Sequence, residues 1–229
     1  MAEILLTDID GTLVDSNALH AEAWRRAFER FDVQIGMDDA WRQIGKGADQ
    51  LIPTFLPEPL RARLETPLKN YRKEIFHRDY MPRIVPFARA HDLLKRVSEM
   101  GMKIALATSS DPEDLATYGR ILGMGNLVDE AASAGDAKRS KPAPDIFAAA
   151  LEKVGMRPDQ AIALGDTPYD AQSAGKLGVP VIGLTCGGWK RDDLLAAGCV
   201  EVWRDPADLL QHLQESVLFR RDGTRAGGT

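Results

Sequence analysis

Four short, unbroken apolar runs punctuate the chain: Ile4-Leu5-Leu6, Ile104-Ala105-Leu106-Ala107, Ala161-Ile162-Ala163-Leu164 and Val181-Ile182-Gly183-Leu184. A strand with one face in water alternates apolar and polar residues. A strand covered on both faces does not, so these runs predict the central strands of a parallel sheet. Between them the spacing turns helical: Phe87, Ala90, Leu93, Leu94, Val97 and Met100 recur at three- to four-residue intervals and stop at Gly101, a helix-ending glycine. Strands alternating with helices predict an α/β fold, a doubly wound, Rossmann-like parallel sheet.

Residues 16–84 break that alternation, with helical patterns and charged faces but no strand pattern. Helices are predicted over Ala18 to Phe31, Met37 to Ile44, Ala48 to Phe55 and about Pro59 to Tyr80, with Gly45-Lys46-Gly47 interrupting the second and third. The expected organisation is a discontinuous α/β core, 1–15 and 85–219, with a helical domain inserted at 16–84. Residues 220–229 carry too little apolar surface to offset ordering entropy and are expected to form a tail.

Composition narrows the function classes. A net charge of -5, with basic residues spread along the chain, provides no stripe for a phosphate backbone, so no nucleic-acid partner is expected. No apolar run is long enough to span a bilayer, and the first residues have no basic segment or small-residue cleavage site. The two cysteines, Cys186 and Cys199, form neither a disulfide scaffold nor a close metal-binding pair. A cytoplasmic protein with no obligate protein partner is the expectation.

Candidate chemistry sits directly behind the predicted strands. After the first comes Asp8-Ile9-Asp10-Gly11-Thr12-Leu13-Val14-Asp15-Ser16. A carboxylate at a strand's carboxyl end faces the ligand-binding edge of an open α/β sheet, so Asp8 is available as nucleophile or metal ligand. Asp10 is placed to serve as acid and base. An Asx turn ahead of Gly11 fits the same residues. A calcium loop does not, because Leu19 stands where its bidentate Glu belongs.

Behind the second run, Thr108-Ser109-Ser110 offers hydroxyls and N–H groups to a phosphate, although Ser110 and Glu113 also have capping-box spacing around Pro112. Lys141, in Ser140-Lys141-Pro142-Ala143-Pro144-Asp145, reads either as a solvated loop lysine or as a phosphate-binding cation. Behind the third run comes Gly165-Asp166-Thr167-Pro168-Tyr169-Asp170, where Thr167 and Asp170 also fit a capping box but Asp166 has no such use. Together, Asp8, Asp10, Asp166 and Asp170 set four negative charges against Lys141. Such a group demands a cation, and an all-oxygen set selects a hard one, Mg2+.

These four elements, in this order, resemble the motifs of the haloacid dehalogenase superfamily, and the resemblance runs from Ile4 to about Leu213. It implies that residues 16–84 are a mobile cap and that Asp8 attacks phosphorus to form an aspartyl-phosphate. Asp10 would protonate the leaving group and then activate water. Mg2+ would be held by Asp8, the Asp10 main-chain carbonyl and Asp166, with Asp170 orienting its waters. Thr108, Ser109 and Lys141 would hold the phosphoryl group beside the Gly11 turn. A dehalogenase is not implied, because the family's dehalogenases lack the acid at the Asp10 position.

The segment Asp15 to Trp24 is similar to the hinge and first cap helix of the phosphoglycolate phosphatase and β-phosphoglucomutase group, which implies that His20 approaches Asp10 on cap closure. His20 and Trp24, four residues apart, equally fit ordinary packing on one helix face. The sugar mutases of that group use a cap arginine just beyond a Lys-Gly pair; here Lys46-Gly47-Ala48-Asp49 has none, and Asp49 would repel a second phosphate. Lys46 is the candidate substrate contact of the cap.

The expectation is therefore a Mg2+-dependent phosphatase of a small phosphorylated metabolite. A sugar phosphomutase is its nearest alternative, and a non-hydrolytic phosphate-accepting or phosphate-binding regulatory protein is the alternative of another class. Cys186, behind the fourth run, flanks the site's mouth or is a packed thiol.

Overall fold

The computed structural model describes residues 2–219, so the expected tail at 220–229 lies outside the described residues. The elements in chain order are β1 (Ile4–Thr7), β2 (Val14–Asp15), α1 (Asn17–Arg30), α2 (Met37–Trp41), α3 (Ala48–Phe55), α4 (Leu60–Ile75) and β3 (Val85–Pro86). There follow α5 (Ala90–Glu99), β4 (Lys103–Ala107), α6 (Pro112–Leu122), β5 (Glu130–Ala132), α7 (Asp145–Val154) and β6 (Ala161–Gly165). The chain continues through α8 (Pro168–Gly175), β7 (Val181–Leu184), α9 (Arg191–Ala197), β8 (Cys199–Trp203) and α10 (Pro206–Gln211).

Six strands form one parallel sheet in the order β5-β4-β1-β6-β7-β8. Consecutive side chains of a strand point to opposite faces, so each unbroken apolar run feeds two cores. Leu5, Ile104, Leu106, Ile162 and Leu164 face α5, α6 and α10 on one side. Ile4, Leu6, Ala105, Ala107 and Ala163 face α7, α8 and α9 on the other. The four predicted strands are all present; the two unpredicted ones, β5 and β8, are the sheet's edges. β5 is three residues long and β8 mixes exposed and buried positions, so neither forms an apolar run.

Between β2 and β3, which pair as a short antiparallel ribbon, α1 to α4 enclose their own apolar cluster. Ala21, Trp24, Ala27 and Phe28 recur at helical spacing on the buried face of α1 and meet Leu51, Ile52 and Leu68. Full burial of a side chain the size of Phe28 or Leu68 stabilises by about 1.5–3 kcal/mol relative to leaving it exposed. The predicted helix over Met37 to Ile44 ends earlier, at Trp41, and the one toward Tyr80 widens into a π-helical turn at Phe76–Tyr80.

Candidate active site

Strand β1 is central, with β4 and β6 in register on either side, so the residues that follow all three emerge at one edge. There the structure gathers Asp8, Thr108 and Asp166, all buried. Lys141 enters from the loop before α7. It is fully buried, not solvated, and its Nζ lies 2.8 Å from Asp8 Oδ1 and 2.7 Å from Asp170 Oδ1. Burial alone would lower the lysine's pKa; the Asp170 and Asp8 carboxylates reverse this and hold it above its ordinary value.

The capping reading of Asp170 holds, and its two oxygens serve different partners. Oδ2 accepts from the Thr167 N–H at 3.0 Å and the Thr167 hydroxyl at 2.6 Å, closing the capping box of α8, while Oδ1 takes Lys141. Asp166 is fixed by Thr12 Oγ1 at 2.8 Å on Oδ1 and by Asn17 Nδ2 at 2.8 Å on Oδ2. The backbone must pass close to make this possible. Gly11 sits at φ +75, and a Cβ on either Gly11 or Gly187 would collide with the Asp166 carboxylate.

Asp8, Asp166 and Asp170 each offer a carboxylate oxygen, all within 4.8 Å of one another. Burial, opposed by Lys141 and assisted by the charges of Asp170 and Asp10, pushes the Asp8 carboxyl up to about 7. Burial and the neighbouring Asp170 and Asp8 raise Asp166 well above the usual carboxylate range. Three buried carboxylates sharing one lysine cannot all ionise without a further positive charge. Their all-oxygen donor set fits a hard divalent cation.

The Asp10 side chain turns away from this trio. Its carboxylate accepts from Ser16 Oγ (2.6 Å), His20 Nε2 (2.8 Å), Ser110 Oγ (2.6 Å) and Tyr118 Oη (2.7 Å). Burial would raise the Asp10 pKa, but His20, Ser110 and Ser16 overcome it and hold the carboxyl below its usual range. Ser110 is accordingly not the cap of α6, as its spacing to Glu113 suggested: Asp111 occupies the N-cap position, and the Ser110 hydroxyl is spent on Asp10.

A cavity of about 390 Å³ opens between this corner and the inserted helices, lined on the sheet side by Asp8, Asp10, Thr108 and Ser109. Helix α1 sends His20 to Asp10 while stacking its ring on Phe76, 4.2 Å between centroids, so contact and packing coexist. Lys46 lines the cavity, its Nζ 2.6 Å from Gln43 Oε1 and 4.7 Å from the centre of the Tyr169 ring. Asp49 lines the cavity too and also docks on the core: its Oδ2 accepts from the Ser140 N–H at 3.1 Å, and the Gly47 N–H donates to Ser140 Oγ at 2.8 Å. Ser109 Oγ donates to the Gly45 carbonyl at 3.3 Å.

Residues 5–184 match the sequence profile of the haloacid dehalogenase-like hydrolases. The chain belongs to that family. It is 26% identical over 197 residues to the validoxylamine A 7'-phosphate phosphatase of Streptomyces hygroscopicus subsp. limoneus, covering 81% of this chain and 86% of that one. It is 26% identical to the phosphoglycolate phosphatase of Rhodospirillum rubrum over 223 residues, 91% of this chain and 90% of that one. The crystal structure of a hydrolase from Pseudomonas syringae superposes with a TM-score of 0.84 at 26% identity, covering 94% of this chain and 99% of that one.

Several residues of this hydrolase's site carry no clear signal in its sequence. Arg72 lines the cavity from α4, with its guanidinium 5.3 Å from the Trp24 ring and 4.4 Å from that of Phe76, touching His20 Nδ1. Its spacing does not set it apart from the many charges of its helix. Tyr118 recurs with Leu115 and Leu122 at helical spacing and so reads as core. Asn17, and the bond from Thr12 of the first motif, become visible only once Asp166 is folded against them. Cys186 lies behind the Asp8 to Ser16 loop, its thiol 3.3 Å from the Gly11 carbonyl, and burial and the Asp166 charge push it up, as befits a packed thiol. Among the described residues, no helix is long and apolar enough to cross a membrane.

Proposed function

We propose that this hydrolase is a Mg2+-dependent phosphatase that passes the phosphoryl group of a small phosphorylated metabolite through Asp8. The observation that carries the reading is the corner in which Lys141 joins Asp8 to Asp170 beside Asp166, open to a cavity that Asp10 also lines. Phosphoryl transfer needs little beyond positioning and charge neutralisation, and the corner offers both.

Asp8 attacks phosphorus, while Thr108, the Ser109 N–H and Lys141 hold the phosphoryl oxygens. Asp10 gives a proton to the leaving oxygen and later takes one from the water that cleaves the aspartyl-phosphate. Asp8, Asp166 and the Asp10 main-chain carbonyl would hold Mg2+, with Asp170 behind it. Bound there, the ion would neutralise charge on the phosphoryl group. The inserted helices act as the cap that closes over the cavity and excludes water.

A metabolite-sized substrate suits the cavity, and the phosphatase names of the relatives suit the reaction. One observation favours a sugar phosphomutase as second reading: Arg72 is a cap cation in the cavity, placed to receive a second phosphate. The test is phosphate release from sugar phosphates, phosphoglycolate and nucleotides, with Mg2+ or chelator, by wild type and Asp8→Asn. Metal-dependent release by wild type alone is expected. Release by Asp8→Asn would overturn the mechanism, and phosphoryl exchange with a sugar bisphosphate in place of release would favour the mutase.

A further inference from the structure

The four donors around Asp10 are divided unequally between its oxygens. Oδ1 accepts from Ser16, His20 and Tyr118; Oδ2 accepts from Ser110 alone. A carboxylate oxygen has about two lone-pair directions, so Oδ1 is used up and Oδ2 keeps one free. Asp10 and Ser110 line the cavity; Tyr118 does not, and reaches it only through Asp10.

Tyr118 also differs from the other two Oδ1 donors in where it is anchored. Ser16 and His20 lie at the entrance to the inserted helices, whereas Tyr118 is fully buried in α6, with its ring in the core cluster on one face of the sheet. The apolar packing of that cluster needs the ring but not the hydroxyl, which ends 2.7 Å from Asp10 Oδ1. Of the Oδ1 donors, it alone is carried by a helix of the core.

We propose that Tyr118 is a positioning residue for proton transfer: with Ser16 and His20 it pins Asp10 Oδ1, so that Oδ2 is the atom that exchanges the proton with the substrate. The inference rests on the phosphatase reading above. As an Asp8 oxygen bonds to phosphorus, the ester P–O bond breaks, its electron pair stays on the leaving oxygen, and the proton on Oδ2 moves there. In the second step the attacking water loses a proton to Oδ2, its oxygen bonds to phosphorus, and the bond from phosphorus to Asp8 breaks. The Ser110 hydroxyl donates to the other lone pair of the same oxygen throughout.

A leaving alkoxide needs that proton, but a nitrophenolate does not, and kcat/KM reports only the steps up to transfer onto Asp8. Tyr118→Phe keeps the ring and removes the donor. With Mg2+ present, it is expected to lower kcat/KM for the best alkyl phosphate of the panel about 10-fold, through kcat with KM unchanged, a part of what general acid catalysis contributes. For p-nitrophenyl phosphate kcat/KM should stay within about 2-fold of wild type, because that leaving group departs unprotonated.

Equal losses on both esters, the mark of a merely structural role, or no loss on either would overturn the assignment while leaving the phosphatase reading intact. A wild-type enzyme that releases phosphate from neither ester overturns both. Ser16→Ala removes a second Oδ1 donor and should show the same dependence on leaving group, so the assignment stands or falls even where Tyr118→Phe does not fold.

Discussion

The two walls of the cavity are built differently. On the sheet side, Lys141, Asp166 and Asp170 are completely buried, and each is held by partners from other segments of the chain. On the cap side, Arg72 is held by the Trp24 and Phe76 rings and by His20, whereas the Lys46 amine rests on one glutamine oxygen and the face of one tyrosine. The sheet wall is over-determined: moving one member breaks contacts with several strand ends. On the cap wall it is Lys46 that is held by few contacts, which leaves its amine free to meet a ligand. The first wall suits a fixed reaction and the second a choice of substrate.

Substitutions should separate the walls. Asp8→Asn, the largest expected effect, should cut phosphate release by about 10⁴-fold while the far-ultraviolet spectrum stays that of wild type, because the amide keeps the shape and loses the nucleophile. Next, Lys141→Ala leaves two buried carboxylates uncompensated and should cost about 3–5 kcal/mol of stability, read from denaturant unfolding without Mg2+. A loss under about 1 kcal/mol would place Lys141 with exposed ion pairs and break the contrast.

The Asp trio sharpens the contrast through pH. Asp8 is raised from 3.8 to about 7, so its contribution to the stability of the metal-free protein is complete below about pH 4 and is lost as pH climbs through 7. Mg2+ binds the ionised carboxylates. The rise in Tm on adding Mg2+ should therefore grow between pH 4 and pH 7, by calorimetry; a rise independent of pH would separate the ion from this trio. The smallest effect belongs to the cap: Lys46→Ala should raise KM about 5-fold with kcat and Tm unchanged, since a half-buried amine held by few contacts adds binding alone. A fall in Tm would mean that the cap wall, too, is structural.

The legible part of the site is the part that strands deliver. Asp8, Thr108 and Asp166 announce themselves because each follows an apolar run, and a parallel sheet brings such ends to one edge. Lys141 is named by its loop, but its complete burial is not, since nothing in Ser140 to Asp145 separates a solvated lysine from one between two aspartates. Ser110 shows the limit in the other direction. Its spacing to Glu113 and Pro112 fits a cap, a local rule, yet the fold spends its hydroxyl on Asp10, one hundred residues away.

By itself the sequence determined the parallel sheet's centre, the helical insert and the acidic corner, because periodicity and strand-end placement act within a few residues of the chain. Only the tertiary structure decided the sheet's edges, the division of Asp10's oxygens between Tyr118 and Ser110, the docking of Asp49 on Ser140 and the arrival of Arg72 beside His20. Each depends on segments tens of residues apart meeting across a packed interior. Hydrogen bonds and charges at such a meeting are set by which backbones pack together, and local sequence leaves no mark of it.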